Sequence, residues 1–282
     1  MTHSKIYILY HANCYDGFGA AWAAWKALNN QADYIPVKHG EPPPQLEPGS
    51  TVYILDFSYN RFTLEKMGKQ VQQVTVLDHH KTAQEALAVF ESKNLETFLL
   101  NKNAVRATFD MEKSGAILSW EYFHSQTVPP PEFLLYIQDR DLWQFKLEDS
   151  REVTSALRAY PLEFQVWDEL ANAEGITTLR TEGKIILKLT NQIVERICKQ
   201  VQWREIGGYR IPCVNATVFC SEVGNRLCQL YPDAPFSAYY LDGKNGKRHW
   251  GLRSVGDFDV SAIAKQYGGG GHKNAAGFVE SF

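Results

Sequence analysis

Short apolar runs bounded by polar or chain-breaking residues recur along the N-terminal half of the chain. KIYILY (5–10), ADYIPV (32–37), TVYILDF (51–57), VTVLDHH (74–80) and ETFLL (96–100) are rich in β-branched and aromatic residues and read as strands. Between them, GFGAAWAAWKAL (17–28), residues 60–70 and QEALAVFES (84–92) carry apolar positions at helical spacing. In the first of these helices Phe18, Ala21, Trp22 and Trp25 share one face, a spacing that belongs to core packing rather than to base stacking. Strand alternating with helix predicts βαβ units and a mainly parallel sheet. The proline-rich EPPPQLEPGS (41–50) is a loop, and residues 111–124 and 131–139 are two further predicted helices separated by Pro129, Pro130 and Pro131.

The pattern then lengthens. Residues 176–203 form one long predicted helix, with Ile185, Leu189, Ile193 and Ile197 on a stripe and Arg180, Lys184, Lys188, Arg196 and Lys199 on a solvated face. Beyond it YRIPCVNAT, FSAYYLDGKNGKRHWGLRS and GFVESF read as strands, Asn245-Gly246 as a hairpin turn, and 223–230 and 259–266 as helices. The predicted class is α/β. An N-terminal domain with a mainly parallel sheet flanked by helices (1–175) joins a smaller C-terminal α/β domain (205–282) through a helical linker (176–204).

Composition narrows the function. Hydrophobic residues make up 44% of the 282 and charged residues 22%, which is globular rather than disordered. A net charge of −3 provides no global field for holding long nucleic acid, so no long-DNA binding is expected. No apolar run approaches the ~20 residues a membrane span needs, so no membrane is expected as a partner. MTHSKIYILY lacks the pattern of a signal peptide. Five cysteines, an odd number with no CxxC pair, argue against a disulfide framework and a zinc ribbon. The expected location is cytoplasmic.

Three predicted strands end on metal-type ligands: His11 (with Asp16 close behind), Asp56, and Asp78-His79-His80. Ligands of open parallel sheets sit beyond the carboxyl ends of the strands, and a parallel arrangement brings these three ends to one edge. A lone aspartate at a strand end is usually a turn former or helix cap; three coincident ends favour a metal site. Carboxylate with imidazole suits a divalent ion such as Mn²⁺, Fe²⁺ or Zn²⁺. Two ions roughly 3.5–4 Å apart, sharing a bridging carboxylate, activate a water and stabilise the leaving oxygen of a phosphate ester.

LDHHKT (77–82) resembles the signature of the DHH phosphoesterase superfamily, a group of exonucleases, oligoribonucleases, cyclic-dinucleotide phosphodiesterases, pyrophosphatases and polyphosphatases. ILDF (54–57) is similar to its second motif, which implies Asp56 as the metal-bridging residue. IQDRDLW (137–143) is similar to its fourth, which implies Asp139 as ligand, with Asp141 as the second candidate. The resemblance further implies Asp78 as ligand, together with His79 or His80, the first histidine being the one that orients water or contacts the phosphate. His11 and Asp16 complete the implied metal set. The first motif departs from the family's HxDxDG: in HANCYDG, Asn13 or Cys14 stands where the first aspartate belongs. Two Mn²⁺ ions are implied, with one of the two positions weakened. Ser114-Gly115 resembles a family helix start near the cleft, with a packing or N-cap role.

The second signal is VSAIAKQYGGGGHKNAAGF (260–278). Successive glycines aim backbone N–H groups into an anion-binding nest. His272 and Asn274 are side-chain donors beside it. GGGGH is similar to the hallmark of the DHH-associated C-terminal domain. The resemblance therefore implies Gly269, Gly270, Gly271, His272, Asn274 and Arg253 as substrate-binding residues, with the substrate between the two domains. Arginine suits that task because its planar fork binds phosphate oxygens bidentately.

The expected function is metal-dependent hydrolysis of short oligonucleotides, linear dinucleotides or small nucleotides, with His79, His80 and Asp78 at the chemistry. Two alternatives are an inorganic polyphosphate or pyrophosphate hydrolase, and a catalytically weak nucleotide-binding sensor. The expected partners are a short oligonucleotide or nucleotide and, in a homodimer, a second copy of the chain.

Overall fold

A computed structural model describes residues 4–38, 40–91, 104–125, 127–243 and 246–281. The chain divides into two compact units, Met1–Ile186 and Leu187–Phe282.

In the first unit β1 (Ile6–His11), β2 (Ala32–Val37), β3 (Thr51–Leu55), β4 (Gln73–Asp78) and β5 (Val105–Phe109) form one sheet in the order β2-β1-β3-β4-β5. Every pairing is parallel. Pro36 lies in β2, at the sheet edge, where the N–H it lacks is not needed by a second neighbour. The central strands are apolar on both faces, as a sheet covered by helices on both sides requires. On one face Val52, Ile54, Val74 and Val76 pack with Leu64 and Met67 of α2 (Arg61–Gly68) and with Leu87 of α3 (Lys81–Leu87). On the other, Ile8, Leu55 and Leu77 meet Ala20, Ala21 and Ala24 of α1 (Tyr15–Leu28) and Leu118 of α4 (Gly115–His124).

A helical layer extends this core. α5 (Glu132–Asp141), α6 (Ser150–Ala156) and α7 (Phe164–Leu170) pack against α1 and the start of α8 (Ala173–Cys198) around Trp22, Trp120, Phe133 and Trp167. Trp22 is buried and stacks on Trp120, and Trp25 stacks on Phe164. α6 and α7 are too short for their periodicity to stand out, and β5 follows residues 92–103, where ETFLL lies outside the described residues.

In the second unit a six-stranded sheet runs β10-β11-β9-β8-β7-β6. Its strands are β6 (Gln202–Ile206), β7 (Tyr209–Asn215), β8 (Ser237–Asp242), β9 (Lys247–Arg253), β10 (Gly270–His272) and β11 (Ala275–Ser281). All pairings are antiparallel except β7 with β8. α9 (Cys220–Leu230) and α10 (Val260–Gln266) pack on it. The predicted long helix is α8, which stops at Cys198; residues 202–206 are strand instead, because Trp203 and its neighbours pair with β7. Asn245 lies outside the described residues, while Gly246 has the positive φ of 65° expected of that turn. Among the described residues no helix is long and apolar enough to cross a membrane.

Candidate metal centre

The strand order reverses direction between β1 and β3: from β1 the chain moves outward to β2, then returns to the other side. This is the switch point beyond which open α/β sheets bind their ligands. β1, β3 and β4 are adjacent and parallel, so their carboxyl ends deliver His11, Asp56 and Asp78-His79-His80 to one edge.

Asp56 is the hub. It follows β3 in the left-handed region, with φ 61°, and its N–H continues the ladder by donating to Leu77 O at 2.9 Å. That conformation is uncommon for a non-glycine residue and persists where surrounding contacts over-determine it. Its Oδ2 lies 3.3 Å from His11 Nδ1 and its Oδ1 lies 3.1 Å from His79 Nε2. The same His79 nitrogen is 3.5 Å from Asp16 Oδ2 and 3.5 Å from Asp141 Oδ2.

Asp78 is fully buried and held from several directions. Ser58 Oγ donates to its Oδ2 at 2.6 Å, and its Oδ1 accepts from the His79 backbone N–H at 2.7 Å. His80 Nδ1 is also 2.6 Å from that Oδ1. Asp16 is held by the start of α4: Gly115 N–H donates to its Oδ2 at 2.6 Å and Ala116 N–H to its Oδ1 at 3.0 Å. Ser114 caps the helix, accepting from Ile117 N–H. Only glycine fits at 115, because a Cβ there would stand 2.6 Å from Asp56 Cβ and 3.0 Å from Asp16 Oδ2. The sequence offered Ser114-Gly115 as a cap or packing element; the structure gives it both jobs, pressed against two carboxylates.

One donor atom from each of His11, Cys14 and Asp56 falls within 4.8 Å of the others, as it does for Asp56, Asp78 and His80, and for Asp16, His79 and Asp141. The electrostatics of this arrangement call for cations. Burial raises the Asp16 carboxyl well above its usual range, and the neighbouring Asp56 and Asp141 carboxylates raise it further. Burial and Asp56 likewise raise Asp141. Burial also opposes the charge on Asp56, but hydrogen bonds from His11 and His79 outweigh it and hold this carboxyl well below its usual range. Burial lowers His79, yet the Asp56 hydrogen bond and the Asp141 and Asp16 charges prevail and bring it to about 10. Carboxylates and imidazoles converging from four segments fit divalent transition ions, with Asp56 shared between two donor groups.

No model of a protein family matches the chain. Uncharacterized protein R106 of Acanthamoeba polyphaga mimivirus is 31% identical over 97% of this chain and 67% of its own length. Oligoribonuclease NrnB of Bacillus subtilis (strain 168) is 26% identical over 96% of this chain and 72% of its own. The chain belongs to the DHH phosphoesterase superfamily. An oligoribonuclease such as NrnB is a phosphoric ester hydrolase. Among solved structures, RecJ from Thermus thermophilus in complex with Mn²⁺ has a TM-score of 0.47 at 15% identity, covering 98% of this chain and 49% of its own. The pGpG-specific phosphodiesterase PggH from Vibrio cholerae has a TM-score of 0.43 at 13% identity, covering 99% of this chain and 94% of its own.

Within this DHH centre the structure brings together His11, Asp16, Asp56, Asp78, His79 and His80. Asp139 is not among the donor groups that come within 4.8 Å of one another in the described residues. Both oxygens of Asp139 accept backbone hydrogen bonds, from Lys146 N–H at 2.8 Å and Leu147 N–H at 3.1 Å, so this carboxylate pins the loop after α5. Asp141, the second candidate, stands beside His79 instead. Two residues apart on a helix point to nearly opposite sides, so only one of the pair can face the centre. Sequence reasoning missed Ser58, whose hydroxyl orients Asp78; its one signal was its place two residues after Asp56.

The predicted substrate-binding residues all lie in the second unit. Arg253 ends β9, donates to Ser221 Oγ at 2.9 Å and lies over the Tyr239 ring. The glycine run ends α10 and enters β10: Gly268 N–H donates to Lys265 O and Gly269 N–H to Ala264 O. A Cβ at Gly269 would meet Gly277 O at 2.1 Å, so its role is close packing against β11, and its N–H is committed inside the fold. Asn274 is committed too, donating to Ser254 Oγ and Gly256 O. Gly270, Gly271 and His272 pair with Gly277, Ala276 and Ala275.

Proposed function

We propose that the protein is a divalent-metal-dependent phosphodiesterase that hydrolyses short oligonucleotides, linear dinucleotides or small nucleotides. The observation that carries this reading is the position of Asp56. One buried carboxylate serves two donor groups, His11 with Cys14 on one side and Asp78 with His80 on the other. These two groups would hold two divalent ions, Mn²⁺ being the ion proposed for the Asp78 side, and the bound ions would supply positive charge to the phosphoryl oxygens and acidify the attacking water.

The chain's own residues do the rest. Asp56, Asp16, Asp141 and His79 are prepositioned by β3, by the start of α4 and by α5, so the donor set costs little to organise. Asp78 orients His80 through the Nδ1 contact, as a carboxylate orients an imidazole in many hydrolytic sites. The proton that leaves the attacking water passes to solvent. The water oxygen bonds to phosphorus, the bond from phosphorus to the leaving nucleoside oxygen breaks, and that oxygen is reprotonated from solvent. Arg253, His272 and the Gly270-Gly271 backbone grip a second phosphate or a terminal nucleotide. Anchoring of one end selects short substrates. The oligoribonuclease activity that gives NrnB its name supports this substrate class.

The test offers a linear diribonucleotide and inorganic polyphosphate side by side with Mn²⁺. Release of mononucleotide from the first is the expected result. Phosphate release from polyphosphate alone overturns the substrate assignment, and tight nucleotide binding without turnover under any divalent ion overturns the enzymatic one.

A further inference from the structure

We infer that Cys14 is a metal ligand: its thiolate, with His11 and Asp56, makes the β1 side of the centre a sulfur–nitrogen–oxygen site that prefers a thiolate-seeking ion of the zinc type to Mn²⁺ or Mg²⁺. This rests on the reading of the site as a divalent-metal centre and goes beyond it, because it assigns a ligand and a metal class to the position where the chain departs from its family.

Geometry selects Cys14 over Asn13. Asn13 is exposed and sits in the left-handed region with φ 58°, turning the chain between the end of β1 and the start of α1. Cys14 comes next, is partly buried, and brings its sulfur within 4.8 Å of donor atoms of both His11 and Asp56. His11, Cys14 and Asp56 come from two strand ends and a helix start, so local chain geometry alone does not gather them.

The other uses of a cysteine at this place fail. Cys14 is the N-cap residue of α1, a position that favours Ser, Thr, Asp or Asn, and its side chain makes no capping hydrogen bond. It has no disulfide partner in its own unit, because the remaining cysteines are Cys198, Cys213, Cys220 and Cys228. Burial and the Asp56, Asp141 and Asp16 carboxylates hold the free Cys14 thiol well above its usual range, so the sulfur becomes an anionic ligand only with a cation bound beside it. Thiolate and imidazole ligands together select zinc-type ions, whereas all-oxygen sites suit Mg²⁺ and Mn²⁺.

The experiment uses the full chain stripped by chelation and then loaded with Co²⁺ as a spectroscopic probe. The expected result is a sulfur-to-cobalt charge-transfer band in the near ultraviolet that disappears in Cys14→Ser, while Co²⁺ is still bound through the remaining donors. In parallel, Zn²⁺ is expected to slow iodoacetamide alkylation of Cys14 in the unaltered chain by at least about tenfold, with Mg²⁺ leaving it unchanged. The alkylation arm needs no variant, so it stands even if Cys14→Ser folds poorly. Co²⁺ binding with no charge-transfer band, together with alkylation indifferent to Zn²⁺, overturns Cys14 as a ligand and leaves the metal centre intact. Failure of any divalent ion to bind the unaltered chain overturns the metal centre itself.

Discussion

The Nε2 atom of His79 lies 3.1 Å from Oδ1 of Asp56, although the two residues are 23 positions apart and follow different strands. Parallel pairing of β3 with β4 makes this contact. Leu55 and Leu77 are register partners, so the residues just beyond them emerge side by side. The chemistry of the protein depends on that register.

Asp56→Asn keeps the shape of the side chain, and asparagine tolerates the left-handed backbone that Asp56 adopts. It removes the charge shared by the two donor groups. Turnover of a diribonucleotide is expected to fall by at least about 10²-fold, and calorimetric Mn²⁺ binding to weaken. A variant that folds, binds Mn²⁺ normally and turns over at the wild-type rate would remove Asp56 from the mechanism.

Gly115→Ala puts a methyl group 2.6 Å from Asp56 Cβ and 2.9 Å from its Oδ1. The start of α4 must then retreat, loosening its two hydrogen bonds to Asp16. Metal affinity is expected to drop, with a stability loss of about 1–3 kcal/mol from overpacking. Ser114→Ala, which loses only the cap, is expected to cost about 1 kcal/mol and to leave metal affinity much closer to wild type. Denaturant melts and Mn²⁺ titrations of the two variants separate the effects.

Metal binding is expected to release protons. Without a cation His79 holds its proton up to about 10, well above its ordinary 6.5, so at neutral pH the ring is charged. A divalent ion needs the neutral imidazole and the ionised carboxylates, so binding expels protons and affinity rises as pH rises through the neutral range. Isothermal titration in buffers of different ionisation enthalpy measures this directly. Heats that do not depend on the buffer would mean that His79 keeps its proton when the ion binds.

Arg253→Lys tests the C-terminal anchor. Lysine keeps the charge but loses the planar fork that reaches Ser221 Oγ and lies over Tyr239. KM for a dinucleotide is expected to rise several-fold with kcat little changed, because the contact is to a part of the substrate that does not react. His272→Ala is expected to behave in the same way. A loss confined to kcat would place either residue at the chemistry.

Trp22→Phe is expected to lower stability by about 1–3 kcal/mol without changing kcat or KM. The ring is buried between Trp120 and Phe133, so it supports the helical layer and has no face for a base. A thermal melt with parallel kinetics checks both halves of the statement.

Much of the first unit was legible before any coordinates. The apolar runs of β1, β3 and β4 are covered by helices on both sides, so their composition announces them, and the chemistry-bearing residues stand at the end of each run. The DHH signature and the first-motif departure were plain text. What period and composition could not carry was decided by packing between distant segments. Whether Asp139 or Asp141 faces the centre depends on which side of α5 meets α1 and α4, and the loop after α5 claimed Asp139 through two backbone N–H groups. Asn13, exposed and left-handed, turns the chain, while Cys14 brings its sulfur within 4.8 Å of donor atoms of His11 and Asp56. The glycine run looked like an anion cradle, but Gly269 is spent on close contact with β11. Sequence alone determined which side chains are available and that parallel strand ends would gather them, because hydrophobic burial follows local pattern. Only the tertiary structure decided which atoms converge, because a contact of a few ångströms between segments is set by register, backbone sign and steric fit, none of which is a local property.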